Sequence, residues 1–151
     1  MNPKLEYDGA ISFDTIWTNR SRDAVYFRAN EIAGSRTYLH TFPKFELPYA
    51  KAKGWSVVVL DALTERLVPN TLDRHLISNL SLLERNRDGS LTLVFAPQLP
   101  EGILANNWLP TRFGRTYSLT YRFYVPTEDL FSGEYTPPPM IATSMYRRLT
   151  G

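Results

Sequence analysis

The sequence predicts an all-β fold: a single antiparallel sandwich, jelly-roll-like, with one or two short helical turns. Three observations predict it. Apolar residues recur with period two in most segments, turn signals recur at roughly 8–12-residue intervals, and eleven Pro with eight Gly suit turns better than helices. No window longer than about ten residues sustains helical apolar spacing, except a weak stretch over Thr71–Leu83.

In chain order, Ala24-Val25-Tyr26-Phe27-Arg28-Ala29 is aromatic and β-branched and runs to a turn at Ala33-Gly34-Ser35. Thr37–Phe42 alternates, with Tyr38, His40 and Phe42 on one face and Leu39 and Thr41 on the other. Pro43 and Pro48 bracket a loop. Trp55–Asp61 is bulky on both faces, as a central strand is, and Val57–Leu60 also reads as a hydrophobic edge that needs cover, for which a partner chain is an economical choice. Asp61-Ala62-Leu63-Thr64 turns into a short partner strand at Arg66-Leu67-Val68, which Pro69-Asn70 ends, and Thr71–Arg74 suits a short helix or turn. Leu80–Arg85 leads into a hairpin signal at Asn86-Arg87-Asp88-Gly89, before a strand at Ser90–Phe95. Gln98–Gly114 reads as loop. Thr116–Val125 alternates most clearly, with Tyr117, Leu119, Tyr121, Phe123 and Val125 on one face and Ser118, Thr120, Arg122 and Tyr124 on the other. Thr127-Glu128-Asp129-Leu130 caps one helical turn, Pro137-Pro138-Pro139 is held extended, and Met140–Gly151 reads as an edge strand or ordered arm.

Composition bounds the function. A chain of 151 residues is expected to form one domain over 1–151 and can bury a core without disulfides or metals. Zero cysteines exclude a thiolate zinc site and cysteine catalysis. The net charge of +2 and the scattered basic residues, thirteen Arg against four Lys, form no stripe for nucleic acid. Met1–Ala10 lacks the apolar segment of a secretory signal, and no apolar run is longer than Val57–Leu60, so neither export nor a membrane span is expected and the expected address is cytoplasmic.

Several blocks carry a family resemblance: Gly34–Phe42, Gly54-Trp55-Ser56 to Leu60-Asp61, Leu67-Val68-Pro69-Asn70 with Arg74, and Asp88-Gly89-Ser90-Leu91-Thr92. Asn107-Trp108-Leu109-Pro110, Leu119–Pro126 and Gly133–Pro138 follow in the same order. Over about residues 26–139 the chain resembles the bacterial domain-of-unknown-function family DUF1214. The resemblance implies a β-rich sandwich and no established reaction. It also implies a companion: the family usually follows a DUF1254 domain, so this chain is expected to be a stand-alone module whose companion could be a separate protein. Gly54 and His75 stand where an aromatic is common in the family, and Pro69 where an acidic residue is common.

The chemistry-bearing residues are few. His40 and His75 are the two histidines. His75, with Asp73 and Arg74 beside it, is an acid/base candidate or a surface histidine; His40 suits a half-buried, hydrogen-bonded histidine or a catalytic group. No spacing suggests a metal site, and no nucleophile elbow, phosphate loop or dinucleotide fingerprint is present, so no cofactor is expected. Asn107 and Trp108 place an amide beside a ring, which suits a small polar ligand or a plug at one end of the sandwich. Arg122, beside Tyr124, could bind a carboxylate ligand or pair with Asp61 or Glu65. The leading expectation is a non-catalytic, homo-oligomeric binding or assembly module with a small-molecule pocket near Asn107, Trp108, Arg122 and Tyr124. The alternative is an enzyme acting on a small organic substrate through His75 or His40 with Arg74 or Arg122, and the third a structural component of a larger particle.

Overall fold

A computed structural model describes residues 10–16 and 21–143. Ten strands form two five-stranded sheets: β1 (Ala10–Ile11), β2 (Asp14–Thr15), β3 (Ala24–Ala33), β4 (Tyr38–Phe42), β5 (Ala52–Asp61), β6 (Leu76–Ser78), β7 (Leu91–Ala96), β8 (Trp108–Pro110), β9 (Thr116–Pro126) and β10 (Met140–Ala142). The first sheet runs β1-β10-β4-β7-β8 and the second β2-β3-β9-β5-β6. Setting β2 and β8 aside, the first half of the chain pairs with the second half in reverse order. β1 joins β10, β3 joins β9, β4 joins β7 and β5 joins β6, every pair antiparallel. One long antiparallel ribbon rolled into two layers is the jelly-roll arrangement. The exception to the antiparallel pattern is β8, which lies parallel to β7.

The period-two faces explain the core. Tyr38, His40 and Phe42 of β4 and Leu91, Leu93 and Phe95 of β7 point inward against Val25 and Phe27 of β3, Trp55, Val57 and Val59 of β5, and Tyr117, Leu119, Tyr121 and Phe123 of β9. Each such apolar side chain contributes roughly 1.5–3 kcal/mol on burial. Val125, expected on that same face, is instead exposed with φ 52°, where the strand approaches Pro126. In β3 the partners step from Ala29↔Leu119 to Ile32↔Tyr117, so one extra residue bulges at Asn30–Glu31, and Glu31 takes φ 54°.

Several segments depart from the sequence expectation. Arg66-Leu67-Val68 makes one bridge, Leu60↔Leu67, rather than a strand, because Val68 turns into the core. The weak helical stretch over Thr71–Leu83 is a turn followed by β6, whose Ile77 is buried. Its Leu76–Ser78 pairs with Ser56–Val58, so β5 lies between β9 and β6 and Val57–Leu60 is not an uncovered edge. Leu80–Arg85 does not pair with β7; strand β4 takes that place. β10 is an inner strand between β1 and β4, and the rest of the expected terminal arm, 144–151, lies outside the described residues.

Two short helices pack at one end. α1 (Pro48–Lys51), at the end of the bracketed loop, begins on Pro48, whose missing amide proton costs nothing there. α2 (Glu128–Ser132) forms where one turn was expected and stops at Gly133, whose φ of 89° suits glycine. Thr127 stands at its start without capping a backbone amide; its hydroxyl donates to the Asp129 carboxylate and lies 3.2 Å from the Lys51 carbonyl. Among the described residues no helix is long and apolar enough to cross a membrane.

Candidate functional site

The segment expected as loop, Gln98–Gly114, contains β8, and β8 is the edge of the first sheet. Pro110 is tolerated there because an edge strand has ladder donors to spare. Trp108 lies on the outer side of this edge, half-buried, while Leu109 faces the core. Two contacts fix the tryptophan. Its indole Nε1 donates to the Ala96 carbonyl at 2.9 Å, an oxygen that also accepts from the Thr111 amide at 2.9 Å. From the other side Arg74 donates to the carbonyls of Ala105 at 2.5 Å and Trp108 at 3.0 Å. Arg74 is therefore a clasp that ties the β5–β6 connection to β8. It is held in turn by Asn70, whose side chain accepts from the Arg74 amide and donates to the Arg74 and Val68 carbonyls.

Beside Trp108 the clasp leaves a cleft of about 360 Å³. Pro69, Pro97, Pro110 and Phe113 form its apolar walls with the indole, and Phe113 is 76% exposed at its mouth. Its polar lining is Asn70, Thr71, Gln98, Thr111 and Arg112. Thr111 is committed inward, donating to the Gly34 carbonyl at 2.9 Å. Arg112 is exposed, is the one ionisable residue of the lining, and makes no side-chain hydrogen bond or ion pair with any described residue.

Asn107 turns the other way. Its carboxamide is a buried staple: Oδ1 accepts from the Glu84 amide at 3.0 Å, and Nδ2 donates to the carbonyls of Glu84 at 2.8 Å and Thr92 at 3.0 Å. Three of its four hydrogen-bonding positions are thereby filled from within the chain. Asn107 borders a second, broader groove of about 1170 Å³ on the outer face of the first sheet. Leu39, Thr41, Thr92 and Val94 floor that groove, and loops around 84–90 and 100–104 rim it.

The two histidines lie apart from both concavities. His40 is fully buried rather than half-buried, because the aromatic rings of Phe13, Phe42 and Tyr121 close over it. Its Nε2 lies 2.7 Å from the Pro138 carbonyl, which can only accept, so Nε2 carries the proton. Nδ1 then accepts from the Tyr121 hydroxyl at 2.5 Å. Burial drives its pKa down to about 3, against the raising effect of the Pro138 carbonyl. His75 precedes β6 and donates through Nε2 to Asp73 at 2.8 Å; its Nδ1 is enclosed without a partner among the described residues. Among the described residues no three His, Asp or Glu side chains converge as a metal site.

Arg122 and Tyr124 are on the outer face of the second sheet, opposite Ser56 and Gly54. The Arg122 guanidinium lies 5.9 Å from the centre of the Tyr26 ring. The structure thus brings Arg74 to Trp108 but puts Asn107 on a different concavity and Arg122 with Tyr124 on a different sheet. Asp61 takes Arg115 as its partner, not Arg122, through two bonds of 2.9 and 3.0 Å. The register explains the exchange: Asp61 lies opposite Tyr117, five residues or about 16 Å along β9 from Arg122. Arg115 and two backbone amides of the following turn, at Leu63 and Thr64, hold the Asp61 carboxyl well below the usual carboxylate range. Sequence reasoning missed Arg112, Phe113 and Gln98; their one signal was membership of the segment that contains Trp108.

Comparison with known proteins agrees with the fold. The VPA0106 protein from Vibrio parahaemolyticus superposes with a TM-score of 0.65 at 21% identity, over 80% of this chain and 30% of that one. An uncharacterised protein from Burkholderia cenocepacia gives a TM-score of 0.61 at 16% identity, over 90% of this chain and 36% of that one. The chain therefore spans about a third of the length of these solved relatives, and at such identities the likeness concerns the fold alone. No curated protein matches. Residues 23–128 match the family described as protein of unknown function, DUF1214, and the chain belongs to that family.

Proposed function

We propose that the protein is a non-catalytic binding module whose small-molecule ligand occupies the cleft beside Trp108. The observation that carries this reading is the way the indole is held, by its own Nε1 on Ala96 and by the Arg74 clasp on its carbonyl, with one face left to an apolar cleft. Pre-positioned aromatic walls with a few polar groups are what small-ligand sites present. The enzyme reading has less support. A general acid or base needs hydrogen-bond reach to a substrate in a cavity, and neither His40 nor His75 belongs to the lining of the cleft or of the broader groove. A thermal-shift screen of a broad metabolite panel tests the proposal, with the Trp108 indole signal followed by nuclear magnetic resonance. At least one compound is expected to raise the melting temperature and move that signal. A panel without a stabilising compound sinks the reading.

A second reading, assembly, is favoured by the groove on the outer face of the first sheet. Its rim carries both signs, Glu84, Asp88 and Glu101 against Arg85 and Arg87, around the apolar Leu39 and Leu104. A two-fold interface repeats one patch on both sides, so that patch must complement itself. A second copy of the chain is the occupant this composition suits. Light scattering that finds a monomer at high concentration removes the assembly reading and leaves the ligand reading standing.

A further inference from the structure

Hydrogen-bonding capacity and charge in the cleft narrow its ligand, on the premise that the cleft is a binding site. A carbohydrate needs several free donors and acceptors, but Asn70 spends its side chain on Arg74 and Val68 and Thr111 spends its hydroxyl on Gly34. Thr71 and Gln98 are the polar uncharged side chains that remain. The apolar walls are flat: an indole, a phenyl ring and three proline rings. The charge is a single unpaired guanidinium, with no acidic group in the lining to oppose an anion. A guanidinium presents a planar fork that matches the two oxygens of a carboxylate, whereas a phosphate dianion would call for a second cation that the lining does not supply.

We propose that the cleft takes a small ring-bearing carboxylate, its ring against Trp108 and Phe113 and its carboxylate on Arg112. The ring supplies most of the affinity through desolvation of the apolar walls. Arg112 supplies the discrimination between an acid and its neutral counterpart. Because Arg112 is exposed, that discrimination is modest, on the order of threefold to fivefold.

The test uses the full chain and four acids, benzoate, phenylacetate, indole-3-acetate and cyclohexanecarboxylate, each against its primary amide, by titration calorimetry or ligand-observed nuclear magnetic resonance. At least one acid is expected to bind saturably and about three to five times more tightly than its amide. Arg112→Gln is expected to bring that pair within twofold while the amide affinity holds. Phe113→Ala should weaken acid and amide together, and both side chains are exposed, so both variants should fold. The proposal is overturned if no acid binds better than its amide, or if the preference survives in Arg112→Gln. A neutral panel compound that moves the Trp108 signal while the acids fail overturns the carboxylate assignment and leaves the binding site itself intact. Failure of the acids, the amides and the wider panel together removes both.

Discussion

Replacing Gly34 by alanine sets two physical effects against each other, and the structure decides the sign. Gly34 has no left-handed φ, so chain entropy alone favours alanine: a less flexible unfolded state would stabilise the fold by about 0.4–1 kcal/mol. Space opposes it. A Cβ built on Gly34 stands 2.1 Å from the Arg112 carbonyl oxygen and 2.4 Å from that of Arg115, and both are backbone. Ordinary carbon–oxygen contact begins near ~3.3 Å, so the loop between β8 and β9 must retreat by about 1 Å. That retreat breaks the Gly34 amide bond to Arg115 (2.7 Å) and the Thr111 hydroxyl bond to Gly34 (2.9 Å). Two such bonds at about 1 kcal/mol each, with 1–3 kcal/mol of overpacking and the entropic gain subtracted, leave a loss of roughly 2–5 kcal/mol. At about 3–4 °C per kcal/mol for a chain of this size, the melting temperature should fall by about 10 °C. The matched control is Gly54→Ala, whose Cβ would meet nothing nearer than the Asn79 side chain at 3.5 Å and should be neutral or slightly stabilising. Urea denaturation of both variants, with unchanged m-values, measures the contrast. A Gly34→Ala protein as stable as the wild type would show that the β8–β9 loop yields freely, and the steric argument would fall with it.

Three further perturbations follow from the same contacts. His40 is held neutral in the fold with a pKa of about 3 against 6.5 when unfolded, so the unfolded chain binds the extra proton as pH falls from 6.5 toward 3. Its share of stability is complete above pH 6.5 and should drop by about 2 kcal/mol between pH 7 and pH 5; denaturation curves for wild type and His40→Gln that lose stability equally over this range would contradict it. Asn107→Ala removes three buried bonds and should cost about 2–3 kcal/mol by chemical denaturation; a stable variant that instead lost ligand would make Asn107 a binding residue. Asp61→Asn should lower the melting temperature by several degrees and abolish any further effect of Arg115→Gln in a double-mutant cycle, whereas additive effects would mean that the pair is not coupled.

What was legible in the sequence was periodicity. The inward faces of β4 and β9 follow directly from alternation, because a one-residue slip would turn Tyr38, His40 and Phe42, or Tyr117 to Phe123, out into water. Segments whose conformation depends on tertiary partners were not legible. β6 is three residues long, too short for a period, and forms because β5 offers it a ladder. β8 contains a proline and follows a single 3-10 turn at Ala105–Asn107, local signals of a loop, yet it pairs with β7 because its Leu109 has a core to enter. The same dependence hid the pairing of Asp61 with Arg115, which only the β5–β9 register determines.

The candidate site divides along that line as well. Asn107 and Trp108 are adjacent in sequence, and adjacency suggested one amide beside one ring. A strand entry separates neighbours rather than joining them, and these two side chains serve different concavities. The residues that share the cleft with Trp108 come from three segments, 69–71, 97–98 and 110–113, which are distant or local in sequence without any pattern to link them. Arg74 is the informative case. Its place beside His75 suggests a catalytic partner, but its guanidinium is spent on two carbonyls of the β8 entry, which leaves the charge of the cleft to Arg112. An arginine's chemistry can be read from its identity; whether that chemistry is free for a ligand depends on which carbonyls the fold brings within its reach.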